Sequence, residues 1–368
     1  MNKISVAMLQ TPMFPLNLSC CAGVERVELD EMDGLVENGH AVGLFVPGLY
    51  GVKEGVSSIK DWGWRNRLLK FAYYLDFGIR ARTFDVFHGH YTPILGLLYP
   101  QKSLVHLHGQ AVFMLPQYER FKHRYHQAHY AFNSKFIKRA FEDKYHAVPK
   151  HHLHLLYNGI DCNKFYPDSD KKGNRIINLC FCGRWTREKG IFFLLDAVKK
   201  LEKKRKDFKL FIVGSANIPV ISQNSIAIEK IVKEFANDLS TVEIVGPLSH
   251  EELPQFYRNM DIGIVPSLWD EPFGLVVLEM MASGLPVIAT RVGAIPEIIQ
   301  NDMMGCLVEP NDVQALVENI ESLIEKPDKR LSLGIAGRNR IKQAFSCGQH
   351  IESLIDIYRQ ILRGRKVT

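Results

Sequence analysis

The chain has 368 residues, 46% of them apolar and 23% charged, with 27 Gly and 17 Pro. At roughly 100–200 residues per domain this length suits two globular domains, and the composition excludes a small peptide-like binder and a disordered or collagen-like chain. The net charge of +6 suits a phosphate-bearing ligand without naming one, and nothing in it calls for a nucleic acid.

Ile4–Leu9 reads as a short buried strand, followed by a loop rich in Pro and Cys. Apolar residues then recur at helical spacing over Val24–Glu37 until Asn38-Gly39 stops them, and Ala41–Val46 reads as a second strand. Strand, loop, helix, Gly stop and strand together describe a parallel α/β unit, which recurs with Asp85–His90 and Ser103–His108. The pattern loosens between residues 145 and 178, and Asp168–Asn174 reads as an interdomain linker. The rhythm restarts with strand Ile176–Cys182 and helix Ile191–Lys203. Strands at Lys209–Val213, Val242–Val245, Ile262–Val265 and Pro286–Ala289 follow.

The expected fold is therefore α/β, with one Rossmann-like parallel sheet in residues 1–172 and another in 173–347. Ligands of such open sheets sit beyond the carboxyl ends of the strands, so two sheets facing each other would make a cleft. Neither G-x-G-x-x-G nor G-x-x-x-x-G-K-[ST] occurs, which argues against a nicotinamide dehydrogenase and a P-loop ATPase. No run reaches the roughly 18–20 apolar residues of a membrane span, and Ile4–Leu9 is too brief for a secretion signal. Seven irregularly spaced cysteines match neither a disulfide framework nor paired C-x-x-C zinc ligands, so a reducing cytoplasm is expected.

Four windows carry chemistry. In Pro266–Glu279, a strand ends at Val265 and Pro272 suits the first position of a helix, so the amides of Phe273, Gly274 and Leu275 would form an anion-binding helix end. Glu271 and Glu279 bracket them, roughly 12 Å apart if the segment is helical. That matches the separation of two sugars joined by a diphosphate, although an ordinary capped helix fits the same residues. In Cys180–Gly190, Arg184 and Lys189 follow a strand end where they can neutralise a diphosphate, or make a plain basic turn. Gly23 stands just before the first helix, where backbone amides can approach a ligand. His108 ends the Val105–His108 strand, aimed at the same region or simply packed.

In order and spacing these windows resemble the family 4 retaining glycosyltransferases of the GT-B fold over essentially the whole chain. Asn133–Phe136, Tyr157–Asp161 with Phe165, Val213-Gly214, Gly284–Thr290 and Gly293–Glu297 add to the likeness. The resemblance implies that Arg184 and Lys189 bind the diphosphate of a nucleotide-sugar donor, Glu279 its ribose and Glu271 its sugar hydroxyls. Phe273, Gly274 and Leu275 would contribute amides, Gly214 and Leu248 would join the donor site, and Gly23 would approach the diphosphate. His108 would stand beside the anomeric carbon. The final helix, Gln349–Leu362, would return to the first domain with the rest of residues 348–368. Cys21-Ala22-Gly23 and Gly293-Ala294 depart from the paired glycines common in the family.

The implied partners are a nucleoside diphosphate sugar, of uridine type by family frequency, and a hydroxyl acceptor in a glycan, a glycolipid precursor or a small molecule. No cofactor and no metal is expected, and either a monomer or a dimer is compatible. Alternatives are a GDP-mannose-dependent mannosyltransferase, a sugar-nucleotide epimerase or phosphorylase, and a catalytically silent binder. His88 and His90 share one strand face and either line the acceptor side or pack inside. His123, His126 and His129 do not share a single helix face as metal ligands would. The aromatic and cationic stretch over residues 62–82 suits an ordinary helix or contact with a membrane surface.

Overall fold

The computed structural model describes residues 3–9, 23–47, 56–59, 67–109, 115–168, 176–216 and 223–364. In chain order its elements are β1 (Ser5–Leu9), α1 (Gly23–Glu37), β2 (Ala41–Pro47), β3 (Val56–Ile59), α2 (Arg67–Arg80), β4 (Val86–His90), α3 (Ile94–Leu98), β5 (Ser103–Leu107), α4 (Tyr118–Tyr125), β6 (His129–Phe132), α5 (Lys135–Lys144) and β7 (Leu153–Leu155). There follow β8 (Ile177–Cys182), α6 (Ile191–Glu202), β9 (Phe208–Val213), α7 (Gln223–Asn237), β10 (Val242–Gly246), α8 (Leu253–Arg258), β11 (Ile262–Val265) and α9 (Leu275–Ala282). The last are β12 (Val287–Thr290), α10 (Ile295–Ile298), β13 (Cys306–Val308), α11 (Val313–Glu325), α12 (Pro327–Ala344) and α13 (Cys347–Gly364).

The chain divides into two units, residues 1–159 with 347–368, and residues 160–346. The first boundary falls at Gly159 rather than at residue 172, because the segment after Gly159 is bound by the second unit. The Ile160 amide donates to Phe345 O at 2.8 Å, and the Arg338 guanidinium donates to the carbonyls of Cys162 and Phe165. Of the expected linker, residues 169–174 lie outside the described residues.

In the first unit, seven parallel strands run in the order β3-β2-β1-β4-β5-β6-β7. Alternation along each strand sorts side chains onto two faces. Ala7, Leu9, Phe87, Val105, Leu107 and Phe132 pack with Phe77 of α2 and Phe141 of α5. Val6, Met8, Val86 and Leu104 pack the other way, with Leu29, Met32 and Leu35 of α1 and Ile351, Leu354 and Tyr358 of α13. With both faces covered, β4 and β5 are buried along their whole length.

The second unit repeats this winding with six parallel strands in the order β10-β9-β8-β11-β12-β13. Counted from its own first strand, that is the doubly wound order 3-2-1-4-5-6. Leu179 and Phe181 of β8, Leu210 and Ile212 of β9, and Ile262 and Ile264 of β11 bury against α6 and α11. The strand order reverses between β8 and β11, and the loops leaving the carboxyl ends of those two strands meet there.

Candidate functional site

The residues of interest in the second unit lie at this reversal. Gly190, at φ +72°, ends the loop after β8 and leads into α6. A Cβ there would collide with the Pro266 carbonyl, so glycine lets the loop lie directly against the segment after β11. The Leu268 amide donates to Glu188 O at 2.7 Å and ties the two together. The result is an ion pair, with Lys189 Nζ 2.6 Å from Glu271 Oε1.

Glu271 is held at every point. Ser267 Oγ donates to the same carboxylate oxygen at 2.6 Å, and Thr290 Oγ1 donates to the Ser267 carbonyl. The Ala294 amide donates to Glu271 O at 2.8 Å. A side chain at Gly293, φ +51°, would collide with the Glu271 backbone. Lys189 also lies 5.2 Å from the Trp269 ring centroid. Glu271 is only 5% exposed.

The helix that follows begins at Leu275, not at Pro272. Gly274 caps it at φ +108°, a left-handed conformation that breaks helical continuity, and Pro272-Phe273 form a bend before it. Glu271 therefore stands outside the helix and the 12 Å helical estimate does not apply to it. The amides of Val277 and Leu278 donate to Gly274 O, while those of Leu275 and Val276 have no carbonyl of their own helix to bond. A helix end of this kind favours an anion.

Glu279, one turn along α9, is 7% exposed. Its Oε2 accepts a 3.0 Å hydrogen bond from the Tyr257 hydroxyl, and His250 Nε2 lies 3.8 Å from its Oε1. Burial raises the Tyr257 phenol well above its ordinary range and pushes the nearby Cys182 thiol up to about 12, so both stay protonated beside the carboxylate.

Arg184 is exposed in the loop after β8. The Gly183 amide donates to Val213 O at 3.2 Å, Trp185 to Ser215 O at 2.9 Å and Gly214 to Gly246 O at 2.8 Å, which laces together the ends of β8, β9 and β10. Gly214 follows β9 and half-buried Leu248 follows β10. Phe273 is 2% exposed, its ring 6.0 Å from that of Phe345, so only its backbone is suited to meet a ligand. Arg184, Lys189, Gly214, Leu248, Glu271, Phe273, Gly274, Leu275 and Glu279 thus lie in the loops leaving β8 to β11 and the first turns of α9. Ser267, Thr290 and Tyr257 escaped the sequence reading because an isolated hydroxyl belongs to no motif.

In the first unit, Gly23 is exposed and opens α1, while Cys21 and Ala22 lie outside the described residues. His108 follows β5 and is 4% exposed. Burial, aided by His106 and His90, holds its imidazole well below the ordinary range. His88 and His90 are fully buried, which corrects the acceptor-side reading: α1 and α13 cover the face of β4 from which they project. They gather instead around Glu31 of α1. His90 Nε2 is 3.1 Å from Glu31 Oε2, His88 Nδ1 is 3.4 Å from the same oxygen, and His106 Nδ1 is 3.4 Å from Oε1. His350 Nε2 of α13 lies 2.9 Å from Oε1. Burial alone would raise the Glu31 pKa, but His90 and His88, with hydrogen bonds from His106 and His350, outweigh it and hold the carboxyl well below its ordinary range.

The helical setting assumed for His123, His126 and His129 is also corrected. α4 ends at Tyr125, and His129 opens β6 with its Nδ1 2.8 Å from His154 Nε2. Of the stretch over residues 62–82, residues 62–66 lie outside the described residues, and α2 turns Phe77 into the core. Among the described residues no helix is long and apolar enough to cross a membrane.

Two doubly wound units, the second with a cation, two carboxylates and a helix end at its strand termini, define the GT-B class. The fold is shared with a glycosyltransferase from Rickettsia africae, at TM-score 0.80 and 22% identity over 98% of this chain and 99% of that one. It is shared as well with the Anabaena protein HepE crystallised with UDP, at TM-score 0.75 and 18% identity over 97% and 100% of the two chains. Residues 22–164 match the family described as Glycosyltransferase Family 4, and residues 164–340 match Glycosyl transferases group 1. An uncharacterized glycosyltransferase of Methanocaldococcus jannaschii is 30% identical over 297 residues, 77% of each chain. D-inositol 3-phosphate glycosyltransferase of Corynebacterium kroppenstedtii is 32% identical over 60% of this chain, a match that spans 50% of that protein. The chain belongs to the family 4 glycosyltransferases.

Proposed function

We propose that the chain is a retaining glycosyltransferase that moves a sugar from a nucleoside diphosphate to a hydroxyl of a glycan, a glycolipid precursor or a small molecule. UDP-glucose and UDP-N-acetylglucosamine are the donors to try first, in keeping with the UDP bound to HepE. The observation that carries this reading is the Lys189–Glu271 pair at 2.6 Å beside the capped end of α9.

Breaking the sugar–phosphate bond leaves negative charge on the diphosphate. Lys189, Arg184 and the first-turn amides of α9 stabilise that charge more in the transition state than in the bound donor, which is the condition for acceleration. In this role no divalent ion is needed at the diphosphate. The Glu271 carboxylate, oriented by Ser267 and Lys189, accepts hydrogen bonds from the donor sugar, and Glu279, oriented by Tyr257, accepts from the ribose. The departing phosphate oxygen takes the acceptor proton on the same face, which preserves the anomeric configuration. Gly23 and His108 enter only through the family likeness, as a backbone approach to the diphosphate and a neutral imidazole near the anomeric carbon.

A thermal-shift panel of nucleoside diphosphates and their sugars tests the reading, because a ligand of the native state raises Tm. A rise with UDP and UDP-sugars is expected. No rise with any member of the panel would overturn it.

A further inference from the structure

We propose that Glu31, His88, His90 and His106 bind a divalent transition metal of the zinc class, a structural ion that joins α1 to β4 and β5 inside the first unit. One potential ligand atom from each of the four side chains lies within 4.8 Å of all the others, and all four side chains are fully buried. The backbone sets this up. His88 and His90 alternate along β4, and His106 is the register partner of His90 on parallel β5, so the three imidazoles leave the sheet on one face. That face is the one α1 covers, and Glu31 descends from it.

Spacing and chemistry agree with an ion. Four ligands at roughly 2.0–2.1 Å from a tetrahedral centre stand roughly 3.3 Å apart. His90 Nε2 and His106 Nδ1 stand 3.1 and 3.4 Å from Glu31 oxygens. Three imidazoles and one carboxylate suit zinc-like ions, whereas magnesium and calcium prefer sets of oxygens. Complete burial suits a closed, structural site. Nε2 of His88 is buried without a hydrogen-bond partner, an uncommon state that coordination would relieve.

Outer contacts hold the ligands as second partners commonly do in metal sites. His90 Nδ1 is 2.8 Å from His108 Nε2, and His88 Nδ1 is 2.8 Å from the Tyr358 hydroxyl. His350 Nε2 meets Glu31 Oε1 at 2.9 Å, and its Nδ1 meets Tyr157 O at 2.6 Å.

The test uses the full chain, purified without chelator from zinc-supplemented cells, with metal content measured by mass spectrometry. Chelator-stripped protein is then titrated with Zn²⁺ while Tm is followed, and with Co²⁺ while the visible spectrum is followed. The expected results are about one zinc per chain, a Tm rise of roughly 5 °C with Zn²⁺ at a hundredfold excess over Kd, and the intense visible bands of tetrahedral Co²⁺. Glu31→Gln and the double variant His88→Gln/His106→Gln should lose all three signals, while His154→Gln, outside the cluster, should keep them. A wild-type chain with almost no zinc and no Tm response to Zn²⁺ would overturn the proposal, and so would equal binding by folded Glu31→Gln. Should the cluster variants fail to fold, the wild-type stoichiometry and Co²⁺ spectrum still decide it.

Discussion

Thirteen of the fourteen histidines belong to the first unit, and His250 alone belongs to the second. The two units also bury a carboxylate in opposite ways. Glu31 is sealed between helix and sheet, with imidazoles as its only neighbours of possible positive charge among the contacts described. Glu271 stands at a strand end with a lysine and a serine. The same winding thus builds a buried polar interior in one unit and sets a buried ion pair at the strand ends of the other. Charge placed between layers fixes the layers, whereas strand ends are where open sheets of this kind bind ligands.

The largest effect expected from breaking this contrast is on catalysis. Lys189→Ala should lower turnover roughly 10²- to 10³-fold, the scale for losing one group that stabilises developing charge. Steady-state transfer assays on a variant with native circular dichroism check it, and unchanged transfer would remove Lys189 from the role. Glu31→Gln should instead act on stability. It should cost about 3 kcal/mol, the scale for breaking a buried charged pair, in urea unfolding of the first unit. Little change in that transition would mean that the imidazoles do not depend on the carboxylate.

Acid should separate the units next. Burial, with His152, Lys138 and His151, lowers the His154 pKa from 6.5 to about 4. The folded chain therefore binds fewer protons than the unfolded one, so this contribution is complete above pH 6.5 and is lost as pH falls through 4. It amounts to at most about 3 kcal/mol. Hydrogen exchange at pH 7 and pH 5 should show protection falling first in the first unit, and His154→Asn should lessen the fall; equal loss in both units would contradict this. The smallest effect is expected at Gly190→Ala, where a Cβ meets the Pro266 carbonyl at a left-handed φ. A cost of about 1–3 kcal/mol with weaker donor binding would be seen by thermal shift, and an unchanged Tm would show that the two loops have room to part.

The second unit's site was legible because its parts are local. Glu271 to Glu279 and Arg184 to Lys189 are short windows, and the doubly wound rhythm says where strand ends lie. Two things were not legible there. The left-handed Gly274 delays α9 to Leu275, which no periodicity reveals, and Tyr257 reaches Glu279 only through packing. The Glu31 cluster was hidden for a stronger reason. Its members come from α1, β4, β5 and α13, and only the register of His90 with His106 and the return of α13 bring them together. His88, His90 and His106 each read alone as a strand residue, His350 reads alone as a helix residue, and nothing local singles out Glu31 within α1.

In the proposed function the loops after β8 and β11 and the first turn of α9 hold a nucleoside diphosphate. Hydrogen exchange with and without UDP tests it most directly. Slowed exchange is expected over residues 183–190 and at the amides of Leu275 and Val276. UDP binding that leaves those amides unchanged would contradict it.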